Sequence, residues 1–116
     1  MDAHRAEVAE LAGEFGGVYG VSFSVREPSA DDLRARMNAL REHPADSLAE
    51  RAVTRVDDYS AGLAGLPATN LLAWHLADGS RVMIRPSGTE PKLKFYVHAN
   101  TRAEAGLIAD AVKALL

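Results

Sequence analysis

Three observations in this sequence predict an α+β fold, a two-layer sandwich of a mainly antiparallel four-stranded sheet with helices on one face. Two apolar runs, Asn70 to Leu76 and Arg81 to Ile84, flank Asp78-Gly79, a strong hairpin signal. Two further stretches alternate with the period of a half-buried strand: Val21, Phe23 and Val25 about Ser22 and Ser24, and Leu93, Phe95, Val97 and Ala99 about Lys94, Tyr96 and His98. Capped segments with helical spacing precede and follow these strands.

In chain order, Asp2 to Phe15 reads as a helix, with Asp2 as N-cap and Val8, Leu11, Ala12 and Phe15 at helical spacing, ended by Gly16-Gly17. Its apolar stripe needs a partner, and a second copy of the chain is a candidate. After the strand about Phe23, Ser29 caps a helix with Asp31 and Asp32 in its first turn and Leu33, Met37 and Leu40 on one face, stopped by His43-Pro44. Ser47 to Ala52 is ambiguous, since Ser47 and Glu50 have capping-box spacing before too short a run. Val53 to Val56 suggests a brief strand, and Ser60 to Thr69, with Gly62, Gly65 and Pro67, a loop. Thr101 and Glu104 open the last helix, whose predicted buried stripe is Leu107, Ile108, Ala111, Val112 and Leu115.

The chain of 116 residues fits one domain, and 47% hydrophobic with 25% charged residues is ordinary for a globular protein. No apolar run reaches the ~20 residues of a membrane span, and the N-terminus lacks a signal-peptide core, so a cytoplasmic location is expected. With no cysteine there are no disulfides, thiolate metal sites or cysteine nucleophiles. A formal charge of −3 disfavours an extended polyanion, so nucleic acid is not an expected partner. His4, His43, His75 and His98 share no metal-ligand spacing. Trp74 reads as core rather than a sugar-stacking platform, and Asp57-Asp58 as a solvated strand end rather than a carboxylate pair.

The chemistry is concentrated in Arg85-Pro86-Ser87-Gly88-Thr89-Glu90-Pro91-Lys92-Leu93-Lys94, which joins two strand-like runs. Arg85 offers a planar fork, Ser87 and Thr89 offer hydroxyls, Gly88 lets backbone N–H groups approach closely, and Lys94 adds positive potential. These donors match the acceptor oxygens of a phosphate monoester. An ordinary turn is the competing reading, with Lys92 and Lys94 as solubilising residues. Glu90 is expected to turn outward, or else to pair with Lys92 or Arg81.

Arg85 to Lys92, preceded by Leu76-Ala77-Asp78-Gly79-Ser80-Arg81-Val82 and followed by a strand and a closing helix, closely resembles the C-terminal domain of the α-D-phosphohexomutases (phosphomannomutase/phosphoglucomutase). The resemblance runs from about Val21 to Leu116. It implies a fold like half of a TATA-binding protein, with residues 1–20 a helix and hinge from the preceding domain and residues 21–116 the C-terminal phosphate-binding domain. It also implies that Arg85, Ser87, Gly88, Thr89 and Lys94 hold the non-reacting phosphate of a hexose phosphate during 1,6-phosphoryl transfer. The family's phosphoserine loop, metal loop and sugar loop have no counterpart here, so the isolated chain is expected not to catalyse. No cofactor is expected on this chain, and Mg2+ is expected in the full-length enzyme. The implied partners are glucose or mannose 1- or 6-phosphate and the other three domains of the parent enzyme. The alternative is a stand-alone anion-binding or dimerisation module, pairing through the N-terminal helix.

Overall fold

Alternating apolar residues bury one face of each central strand, and that face organises the molecule. The structure, a computed structural model, describes residues 5–15, 18–62, 65 and 68–116. Its strands are β1 (Arg5–Phe15), β2 (Val18–Arg26), β3 (Ser47–Leu48), β4 (Arg51–Asp58), β5 (Leu72–Leu76), β6 (Arg81–Pro86) and β7 (Lys92–Ala99). Helix α1 (Ala30–Glu42) follows β2, and helix α2 (Arg102–Leu115) follows β7. All strand pairs are antiparallel, in the order β1-β2-β7-β6-β5-β4-β3.

The four predicted strands are the adjacent centre of this sheet, β2, β7, β6 and β5. Phe23, Phe95, Ile84 and Leu72 lie in a continuous cross-strand row, and Phe23 stacks on Phe95 with ring centroids 4.9 Å apart. Trp74 is fully buried in the same core, as its core reading required. Met37 and Leu40 of α1 and Ala105, Ile108, Ala109 and Val112 of α2 close over these side chains. Both caps form as read: Ser29 Oγ accepts from the Asp32 N–H at 3.1 Å, and Thr101 Oγ1 accepts from the Glu104 N–H at 3.1 Å.

The sheet is nevertheless wider than four strands. Arg5–Phe15, expected as part of a helix, is instead strand β1, paired to β2 from Arg5↔Arg26 to Phe15↔Val18. Gly13 inside a helix costs about 1 kcal/mol relative to alanine. Pairing with the free edge of β2 ties the segment into the sheet ladder, whereas a short helix without a packing partner is marginal. Between Glu7 and Leu11 the register slips, four residues of β1 spanning two of β2. The proposed N-cap Asp2 and the Gly16-Gly17 hinge lie outside the described residues. With the helix gone, so is the helical stripe on which pairing to a second copy was based.

On the other side, the ambiguous Ser47 to Ala52 is a small hairpin, Leu48 pairing with Arg51. Its turn residues Ala49 and Glu50 have φ of 49° and 66°, the left-handed pair of a type I′ hairpin turn, which Asn-Gly would have signalled. Arg51 ties the turn down through Ala49 O at 2.6 Å, Asp78 at 2.7 Å and Glu104 at 3.0 Å. In α2, the stripe is rotated from that expected. Ala105, Ile108, Ala109 and Val112 are buried, whereas Leu107 and Leu115 are 55% and 46% exposed. Among the described residues no helix is long and apolar enough to cross a membrane.

Candidate functional site

Between β6 and β7 the chain makes a short loop, Ser87 to Pro91, at the end of the sheet near the start of α1. The Ser87 N–H donates to Lys92 O and the Lys92 N–H to Glu90 O, both at 2.8 Å, which closes the loop on itself. Ser87 Oγ accepts longer bonds of 3.4 Å from the Thr89 and Glu90 N–H groups, a serine turn that follows from a short hydroxyl side chain. The Glu27 N–H donates to Pro91 O at 2.7 Å and anchors the loop to the segment entering α1.

Ser87, Gly88, Thr89, Glu90 and Pro91 face Ala30 and Leu33 of the first turn of α1 across an open cleft of about 260 Å³. Gly88 is exposed, and its N–H takes none of the bonds that close the loop. A Cβ built on Gly88 meets nothing within 4 Å, so the glycine leaves space that the fold itself does not fill.

Arg85 and Lys94 do not line this cleft. They are register partners on β6 and β7, on the sheet face opposite the helices. The Arg85 Nη2–H donates to Tyr96 Oη at 3.3 Å, and the guanidinium lies 5.8 Å from the centroid of the Tyr96 ring. The five predicted residues therefore fall into two neighbouring groups, three in the loop and two cations on the open face. Neither Arg85 nor Lys94 has a carboxylate within ion-pair distance among the described residues, although Arg26, Arg34, Arg36, Arg41, Arg51 and Arg55 each do.

Glu90, the carboxylate of the loop, is held by Lys92 at 2.9 Å and Arg26 at 3.0 Å. Lys92 was one of its expected partners, Arg26 was not, and Arg81 instead donates to His98 Nδ1 at 3.3 Å. The hydrogen bond and charge of Lys92, with the charge of Arg26, keep the Glu90 carboxyl below its usual pKa. Burial and the neighbouring Arg81 push the His98 imidazole below its usual pKa. Further along the open face His75 Nε2 is 2.9 Å from Asp57, which also accepts from Arg55 at 3.0 Å. Asp58 turns the other way, accepting from the Ser60 N–H and pairing with Arg41 at 3.1 Å. The pair read as a solvated strand end is thus two separate, partly buried ion-pair centres.

Tyr96 and Arg26 are the two contacts to this region that sequence reasoning did not assign. Tyr96 shares the outward phase of β7 with Lys94, which is the signal that places it beside Arg85. Among the described residues no group of three or more His, Asp or Glu is arranged to hold a metal ion.

A helix-backed antiparallel sheet defines a small α+β domain. Residues 25–115 match the family described as phosphoglucomutase/phosphomannomutase, C-terminal domain, and the chain belongs to that family. It is 34% identical over 90 residues to a probable phosphomannomutase of Haemophilus influenzae, covering 78% of this chain and 18% of that protein. It is 34% identical over 79 residues to a phosphoglucomutase of Staphylococcus haemolyticus, covering 59% and 14%, and 34% identical over 98 residues to a probable phosphoribomutase of Schizosaccharomyces pombe, covering 70% and 17%. The chain thus spans less than a fifth of the length of these relatives.

Proposed function

We propose that this domain grips the non-reacting phosphate of a sugar phosphate, through Arg85, Ser87, Gly88, Thr89 and Lys94, while a parent phosphohexomutase transfers the phosphoryl group between the 1- and 6-positions. The observation that carries the reading is charge: Arg85 and Lys94 stand side by side without a carboxylate partner, and the loop's own Glu90 is occupied by Lys92 and Arg26. A pair of like charges on facing strand positions is unfavourable by itself, and a bound phosphate relieves it. Ser87 and Thr89 hydroxyls and the Gly88 N–H are then donors at the rim of the cleft. The binding unit is residues 21–116, to which β1 adds an edge strand.

Holding the phosphate far from the reaction orients the reacting oxygen, so this remote contact raises the rate of the whole enzyme without taking part in bond making. The chain by itself turns nothing over, because the serine nucleophile and metal ligands of such chemistry have no counterpart in its sequence. A grip on phosphate alone is also indifferent to the sugar, in keeping with relatives named for mannose, glucose and ribose phosphates.

Titration with glucose 6-phosphate, followed by NMR shifts, tests the reading. Shifts are expected at Ser87, Gly88 and Thr89, with Arg85→Ala weakening binding about ten- to a hundredfold and Arg85→Lys falling between. Equal affinity in all three proteins, with circular dichroism showing each folded, removes the grip from this loop.

A further inference from the structure

Every exposed arginine faces the same difficulty as a ligand-binding group: its long side chain explores many rotamers, and freezing one of them on binding subtracts from affinity. Arg85 departs from that condition. It has no carboxylate to hold it among the described residues, yet its guanidinium is located by two contacts to one side chain. The Nη2–H donates to Tyr96 Oη at 3.3 Å, and the cation sits 5.8 Å from the Tyr96 ring centroid.

Tyr96 is well placed to act as such a support. It lies on β7, two residues beyond Lys94, the register partner of Arg85, so its side chain reaches Arg85 along the diagonal between neighbouring strands. Its strand is paired on both sides, by β2 and β6, which fixes the ring's backbone more firmly than any loop position would. The contact uses one of the five guanidinium donors and leaves the others for an anion.

We propose that Tyr96 is a positioning residue for Arg85, holding its guanidinium on the open sheet face beside Lys94 so that an arriving phosphate meets both cations together. The proposal rests on the phosphate-grip reading above. Tyr96 itself does not touch the anion. Its effect on binding is therefore conveyed entirely through Arg85, and this separates it from a tyrosine that stacks on the sugar or bonds to the phosphate.

A double-mutant cycle on the 116-residue chain tests this, with inorganic phosphate as the probe and isothermal titration as the readout. Tyr96→Phe keeps the ring and removes the hydroxyl, and a loss of about twofold is expected; Tyr96→Ala removes both contacts, and about fivefold is expected. In an Arg85→Ala background the Tyr96→Ala change is expected to be silent. The Phe variant is expected to bind about 2.5-fold more tightly than the Ala variant, a partial rescue that a general loosening of β7 does not explain. If Tyr96→Ala costs the same with and without Arg85, or costs nothing in the parent chain, the positioning role is overturned while the phosphate grip stands. If the parent chain does not bind phosphate, or Arg85→Ala binds it equally well, the grip itself falls and the proposal with it.

Discussion

Gly88 and Glu90 show how much of a binding loop is decided by single residues. Because a Cβ on Gly88 meets only open space, Gly88→Ala is expected to leave the urea midpoint unchanged within error while weakening phosphate binding, since the methyl group occupies the volume that the ligand needs. A fall in stability with unchanged binding contradicts that. Glu90 lines the same cleft and carries a charge that opposes an anion. Glu90→Gln removes that charge, so phosphate affinity is expected to rise about two- to fivefold, most strongly at low salt. Calorimetry at two ionic strengths checks both the sign and the salt dependence. The identity of these donors was legible from residue types alone. That Arg85 and Lys94 stand outside the cleft was not, because the division follows from strand phase at Pro86, where β6 gives way to the loop.

At the level of elements, helix α2 separates two readings of one amphipathic pattern. Leu107 and Ile108 are neighbours in sequence and both were expected to be buried, but only Ile108 faces the sheet. Ile108→Ala is therefore expected to cost about 2–5 kcal/mol in denaturant unfolding, and Leu107→Ala less than about 0.5 kcal/mol. Comparable costs would place the stripe where the sequence pattern put it. The difference arises because 105, 108, 109 and 112 share one face of a 3.6-residue helix, whereas 107, 111 and 115 line the face beside it. Strand β1 likewise departs from its helical spacing, and it pairs along the open edge of β2. Removing residues 1–15 is expected to speed hydrogen exchange at about half of the β2 amides, those whose N–H groups point toward β1, and to leave the half facing β7 protected. Unchanged exchange along β2 contradicts the pairing.

For the whole molecule, charge is unevenly distributed. Among the described side chains the outward phase of the strands carries Arg26, Arg55, Arg81, Arg85, Lys92 and Lys94, with Asp57 and the loop's Glu90 as carboxylates paired to some of them, on a chain whose formal charge is −3. Such a face attracts small anions while the molecule as a whole repels long ones. Titration couples to stability in two steps. The His98 pKa lies below its usual value through burial and Arg81, so the folded state resists its protonation. Stability therefore falls as pH drops below about 6.5, the unfolded-state value, until the folded-state pKa is passed. Burial pushes the Asp58 and Asp78 carboxyls up, but hydrogen bonding from Ser60 and Ser80 and the guanidinium groups of Arg41 and Arg51 more than reverse this, and both end below their usual range. Their contribution is complete above about pH 4 and is lost as pH falls through the lowered values. Urea midpoints between pH 8 and 2 are expected to show both declines, with Arg81→Ala shrinking the first and Asp78→Asn the second. A single decline below pH 4, identical in the parent and Arg81→Ala, contradicts the His98 step.

What the amino-acid sequence by itself determined is whatever depends on neighbours along the chain: the alternation that makes β2 and β7, the apolar runs and Asp78-Gly79 turn that make β5 and β6, the caps at Ser29 and Thr101, and the eight residues from Arg85 to Lys92 that mark the family. Each of these is set by local periodicity or by side-chain chemistry within a few residues. The tertiary structure alone decided that Arg5–Phe15 pairs as a strand, that Ala49 and Glu50 turn a hairpin with positive φ, that Glu90 is held by Arg26 from 64 residues away, and that Arg85 rests on Tyr96. These outcomes depend on which backbone edges and side chains the sheet brings alongside, and a competition between long-range partners leaves no periodic trace in the residues that take part in it.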